Sequence, residues 1–87
     1  MKNAAVLGAG TMGNGIAHVF AQSGYQVALF DVSEAALTRA VATIEKNLDR
    51  QVAKGTLSTA DKDAALSRIQ TVTSLEAAVS QADLVVE

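Results

Sequence analysis

Short apolar runs alternate along this chain with longer stretches in which apolar residues return every three or four positions. Asn3 to Leu7 is nearly all apolar, which predicts a central parallel strand buried on both faces. From Thr11 to Ser23 the spacing turns helical: Gly13, Ile16, Ala17 and Phe20 share one face, and Asn14, His18 and Gln22 share another. Ser23-Gly24 ends this helix, and Gln26 to Phe30 forms the second strand. Ser33 is a favourable N-cap, with Glu34 in the first turn, for a long helix running to about Lys54 and stopped by Gly55. Its apolar stripe is Leu37, Val41, Ile44 and Leu48. Ser58-Thr59-Ala60-Asp61 has the form of a capping box with Asp in the usual Glu position, and opens a shorter helix to Ser67 or Arg68. Ile69 to Val72 is the third strand, Ser74 caps a short helix over Leu75 to Ser80, and Leu84 to Val86 is the fourth strand.

This order is the first part of a doubly wound, Rossmann-like α/β domain with a parallel sheet. Between Phe30 and Ile69 the crossover takes 38 residues, where about a dozen suffice. The extra length is a helical pair, expected to project from the sheet. Right-handed crossovers put the first two helical connections on one face and the connection into the fourth strand on the other. That second face then has only one short helix, and no helix follows Glu87. Apolar sheet surface is expected to stay exposed, so residues 1–87 read as the N-terminal part of a longer protein with an incomplete sheet.

Composition narrows the classes. A chain of 87 residues buries only about 60 to 65% of its unfolded surface, so its core should be marginal. Phe20, Tyr25 and Phe30 are the only aromatic residues, leaving Ala, Val, Leu and Ile to build that core. A net charge of −2 and no basic stripe give no electrostatic footprint for nucleic acid. The absence of cysteine excludes disulfides, thiolate catalysis and Cys-based zinc sites, and no metal site is expected. No apolar run reaches the roughly 20 residues needed to span a bilayer, and the N-terminal run is too short for a signal peptide. The expectation is a soluble, cytoplasmic protein without membrane contact.

The chemistry lies in Val6-Leu7-Gly8-Ala9-Gly10-Thr11-Met12-Gly13, a G-x-G-x-x-G spacing between a strand and a helix. Gly8 allows the sharp turn, Gly10 removes a side chain that would block a pyrophosphate, and Gly13 lets the helix pack closely on the sheet. The helix opening at Thr11 directs unpaired N–H groups at phosphate, so Gly8, Ala9, Gly10, Thr11, Met12 and Gly13 form the candidate phosphate loop. Asp31, 18 residues beyond Gly13, closes the second strand, where its carboxylate can accept both hydroxyls of an adenosine ribose and repel a 2′-phosphate. Val32, Ser33, Glu34 and Ala35 include no basic residue, so NAD is favoured over NADP. His18, the only histidine, is read as a solvent-facing or domain-contact residue and not as a general base. Asp83 and Glu87 are placed beside the fourth strand at the sheet's ligand-binding side and left out of the site.

The glycine motif continued through Gly13-Asn14-Gly15-Ile16-Ala17-His18-Val19-Phe20-Ala21 resembles the N-terminal region of 3-hydroxyacyl-CoA dehydrogenases. The long helical crossover and the ending Ala82-Asp83-Leu84-Val85-Val86-Glu87 carry the same likeness, as does the block Asn47 to Gly55, which generic NAD domains usually lack. The resemblance covers essentially the whole chain and is nearest to the bacterial 3-hydroxybutyryl-CoA branch. It implies an NAD-binding domain of an enzyme that reversibly oxidises a 3-hydroxyacyl-CoA to a 3-ketoacyl-CoA, working as a homodimer. It further implies that the catalytic His, paired with a Glu, lies beyond residue 87, so no residue here is catalytic and the chain alone is inactive. Basic residues that meet the CoA part of the substrate align with Lys54 and, less closely, Arg50. The competing readings are a non-catalytic NAD sensor, a flavin-binding domain and a protein-interaction fragment. Asp31 and the helical pair count against flavin.

Overall fold

The computed structural model describes residues 2–87. Four parallel strands, β1 (Asn3–Leu7), β2 (Gln26–Phe30), β3 (Ile69–Val72) and β4 (Leu84–Val86), stand in the order β3-β2-β1-β4. Between them run α1 (Thr11–Gln22), α2 (Glu34–Ala53), α3 (Thr59–Ser67) and α4 (Leu75–Val79). The chain leaves β1 in one direction for β2 and β3, then crosses back to add β4 on the other side of β1. The switch point of the sheet therefore lies beside β1, at the carboxyl ends of the strands, where open α/β sheets bind ligands.

Strand β1 is central. Its consecutive residues Ala4, Ala5 and Val6 are all buried, so both faces of the strand are covered. On one face Val6, Val27 and Leu29 pack with Ala17 and Ala21 of α1 and with Leu37, Ala40, Ile44 and Leu48 of α2. α4 covers part of the opposite face, contributing the buried Ala78 and touching β1, β2 and β3. Leu84 and Val85 on edge strand β4 stay 41% and 46% exposed, and Leu75 and Val79 of α4 are also exposed, in line with the thin cover expected there.

Two features of the helical crossover differ from expectation. The buried stripe of α2 is Leu37, Ala40, Ile44 and Leu48, with Val41 only half-buried. Alanine is the residue that lets α2 lie close, whereas ranking by apolarity favours valine. The pair also folds back instead of standing clear: α3 packs on α1 and α2, and Ala65 joins the core. Lys62 forms an ion pair with Asp49 across α2 and α3. Arg68, just after α3, donates to the Ala21 carbonyl at 2.8 Å, satisfying an acceptor at the C-terminal end of α1. Ser33, Ser58 and Ser74 each cap their helix through the hydroxyl, accepting from Ala36, Asp61 and Ala77 respectively.

Candidate functional site

The glycine loop leaves β1 at the switch point. Gly8 has φ +107°, a conformation L side chains rarely adopt, and its N–H donates to the Phe30 carbonyl at 2.8 Å. The turn is thus tied to the end of β2. Gly13 sits against that turn so closely that a Cβ there would lie 1.8 Å from the Gly8 carbonyl oxygen. At Gly10 a Cβ would meet nothing within 4 Å, so this glycine borders open space directly before the helix.

Helix α1 starts without help. Gly10 is its N-cap and supplies no side-chain acceptor, and no acidic residue lies in the first turn. By contrast, each of the other three helices has a serine cap and an acid in its first turn. The first N–H groups of α1 and its positive end therefore face outward, the arrangement that receives phosphate.

Asp31 follows β2 and is partly buried. One carboxylate oxygen accepts from the Ala9 N–H at 3.0 Å, the other from the Ser33 N–H at 2.9 Å. The bond to Ala9, which joins the glycine loop to the β2–α2 turn, has no signature in the linear chain. A carboxylate has about four lone-pair sites, so two remain for further donors. The N–H groups of Ala9 and then Ser33 hold the Asp31 carboxyl below the ordinary carboxylate range, outweighing its desolvation.

A depressed carboxylate stabilises the fold above its unfolded pKa, and that contribution disappears as pH falls through the lower folded value. Wild-type urea midpoints should therefore drop more steeply than those of Asp31→Asn from about pH 4 downwards. Parallel curves would remove Asp31 from the acid response.

A groove of about 340 Å³ opens between the glycine loop and α2. Ala9, Gly10, Thr11 and Asn14 line one side, Ala36, Arg39, Ala40 and Thr43 the other, with Asp31 among the lining residues. The α2 residues at i, i+3, i+4 and i+7 share one face. Arg39 was not among the sequence-derived candidates. Met12, which was, is 82% exposed and lines a second, apolar groove with Gly15, Ile16 and Val19 on the outer face of α1. Its backbone lies in the first turn of α1, but its side chain is not among the residues lining the groove beside Asp31.

Arg50 and Lys54 do not join this groove. Arg50 lies within 3.5 Å of the Asn47 side-chain oxygen, and Lys54 is the C-cap residue of α2. Lys54 lies fifteen positions after Arg39, about 22 Å along the helix. His18 is engaged elsewhere: its ring contacts Gln22 at 2.9 Å and Gln51 at 3.5 Å, and Gln22 donates to Gln51 at 2.8 Å. It joins α1 to α2 and lies outside the groove. Asp83 corrects the placement made for it. It precedes β4 and exchanges two hydrogen bonds with Asn3, at the amino end of the sheet and opposite the glycine loop. Only Glu87 lies at the carboxyl end.

Among the described residues no helix is long and apolar enough to cross a membrane. The family model for the NAD binding domain of 3-hydroxyacyl-CoA dehydrogenase matches residues 3–87. A 3-hydroxybutyryl-CoA dehydrogenase of Bradyrhizobium diazoefficiens is 47% identical over all of this chain, which spans 29% of that relative. The crystal structure of 3-hydroxybutyryl-CoA dehydrogenase from Escherichia coli K12 superposes with a TM-score of 0.93 at 44% identity, over 97% of this chain and 18% of that one. For the (S)-3-hydroxybutyryl-CoA dehydrogenase of Ralstonia eutropha the TM-score is 0.91 at 42% identity, over 98% of this chain and 30% of that one. The chain thus spans less than a third of the length of these relatives. With its parallel sheet, glycine turn and Asp31 at the switch point, it belongs to the 3-hydroxyacyl-CoA dehydrogenase family, as the NAD-binding domain.

Proposed function

We propose that the protein carrying this chain is an NAD-dependent oxidoreductase that interconverts 3-hydroxyacyl-CoA, with 3-hydroxybutyryl-CoA as its substrate, and the 3-ketoacyl-CoA. The observation that carries this reading is the open start of α1 beside Gly10 with Asp31 fixed across the groove. In this reading the pyrophosphate rests over Gly10 against the N–H groups of Thr11, Met12 and Gly13, and the adenosine ribose donates to the free lone pairs of Asp31. Gly8 and Ala9 shape the loop that holds it. NAD, when bound, supplies the acceptor for the hydride leaving the substrate's 3-carbon. Residues 1–87 serve as the N-terminal part of the NAD domain and contribute no proton-transfer group. That work falls to parts of the protein outside this chain. The enzyme acts in fatty-acid metabolism as a cytoplasmic homodimer.

Lys54, with Arg50 as its neighbour one turn back, is the contact for the CoA phosphates at the far end of α2. Such a contact holds ground state and transition state alike. Lys54→Ala should therefore raise KM for acetoacetyl-CoA roughly three- to fivefold and leave kcat unchanged. A fall in kcat with constant KM would contradict a CoA-binding role. The activity itself is tested by incubating the whole protein with acetoacetyl-CoA and NADH, then repeating with NADPH. Fast NADH consumption and slow NADPH consumption are expected, and no turnover with either would sink the reading.

A further inference from the structure

Resting on the NAD reading of the groove, we propose that Arg39 is a cofactor-discriminating residue: it contacts the adenosine end of NAD and becomes the seat of a 2′-phosphate once Asp31 is removed. The groove has one acid and one base among its lining residues, Asp31 and Arg39; the rest are neutral. These two are held very differently. Asp31 is fixed through both oxygens to backbone N–H groups, at 3.0 Å from Ala9 and 2.9 Å from Ser33. Arg39 is exposed, and the one ion pair among the described residues is between Lys62 and Asp49. Its guanidinium is therefore a cation without a carboxylate partner, on a flexible stem, beside a site for a negatively charged nucleotide.

The surrounding wall suits this role. Half-buried Ala36 gives a low apolar surface, Ala40 beneath it is packed into the core, and the exposed Arg39 and Thr43, four apart, stand beside it. A flat base can lie against Ala36 with the guanidinium over its face, a weak interaction at an exposed site. A 2′-phosphate in the same place would meet the fixed Asp31 carboxylate and be repelled. Without that carboxylate, the planar guanidinium is the group best shaped to hold a phosphate through paired N–H donors. Discrimination against NADP is thus set by Asp31 overruling a cation already present. In the linear chain Arg39 lies eight residues past Asp31 and reads as an ordinary solvated charge.

The test is to measure Kd for NADH and NADPH on the whole protein in wild type, Arg39→Ala, Arg39→Lys, Asp31→Ala and the Asp31→Ala/Arg39→Ala double variant. Arg39→Ala should weaken NADH about two- to fivefold. Asp31→Ala should gain NADPH affinity relative to NADH, and the double variant should lose that gain by about tenfold or more. The NADPH affinity of Asp31→Ala should also fall more steeply with salt than its NADH affinity. Equal NADPH affinity with and without Arg39 in the Asp31→Ala background would overturn the proposal. Should Asp31→Ala fail to fold, the wild-type background decides: Arg39→Ala must weaken NADPH more than NADH, with Arg39→Lys intermediate, and equal losses overturn the role. Wild type that binds neither nucleotide would sink the NAD assignment and this proposal with it, whereas NADH binding indifferent to Arg39 sinks only the proposal.

Discussion

Replacing Gly13 by alanine should cost about 3 kcal/mol or more of folding stability, the upper range for overpacking a rigid contact. The added Cβ would lie 1.8 Å from the Gly8 oxygen and 2.9 Å from the Gly8 carbonyl carbon. Both are backbone atoms, so no rotamer change relieves the overlap. Gly8 cannot retreat either, because its positive φ and its bond to Phe30 hold it in the turn. Helix α1 must move instead, and with it Ala17 and Ala21, which are completely buried against the sheet. In a domain of about 150–250 residues each 1 kcal/mol shifts Tm by about 2–4 °C. A fall of about 6 °C or more is therefore expected in the whole protein. Two neighbouring glycines are the controls. Gly15→Ala adds a Cβ into open space on an exposed helix position and should stabilise by about 0.5–1 kcal/mol. Gly10→Ala also meets no protein atom, so it should melt like wild type and lose NADH affinity, because its Cβ enters the space assigned to pyrophosphate. Thermal melts and NADH titrations of the three variants separate packing from binding; equal melting of Gly13→Ala and wild type would contradict the close approach.

The parts of this fold legible from sequence are those set by local spacing and turn chemistry. All four strands lie where the apolar runs place them, and Ser33, Ser58 and Ser74 cap as their positions predict. The glycine turn and Asp31 are legible because each needs a particular residue at a particular offset from a strand end. What escaped depends on the path of the chain in space. The placement of Asp83 at the ligand-binding end fails because the three apolar residues Leu84, Val85 and Val86 show where a strand lies but not which flank carries the site. Its bonds to Asn3 are visible only once β4 is laid beside β1. Arg39 is hidden for a related reason: Val32 to Ala35, directly after Asp31, hold no basic residue, whereas about one and a half turns of α2 bring Arg39 to the groove. Ala40 rather than Val41 completes the buried stripe of α2, because hydrophobicity alone does not set how closely a helix approaches its neighbours. The His18 contact with Gln51 needed the packing of α1 on α2, separated by 33 positions in the chain.

Asp31→Ala should reduce NADH affinity by on the order of 10- to 100-fold, as expected when a charged hydrogen-bond acceptor is lost. Two effects combine. The ribose loses its acceptor, and the Ala9 and Ser33 N–H groups lose the carboxylate that spans them. Ala9 is 6% exposed, so its N–H has little water to turn to. The glycine loop should therefore loosen in the protein without nucleotide, raising the exchange rate of the Ala9 amide while those in β1 and β2 stay protected. An analogue of NADH without hydroxyls on the adenosine ribose separates the two effects, since it cannot use Asp31 directly. If the carboxylate acts through the hydroxyls alone, wild type and Asp31→Ala will bind this analogue equally. If it also holds the loop, the variant will bind the analogue several-fold more weakly, because part of the binding energy then goes into ordering Ala9 and Gly10. The bond between Asp31 and Ala9 favours the second outcome. Unchanged NADH affinity in the variant would refute the ribose contact itself, and Asp31 would then be a structural clasp between two loops.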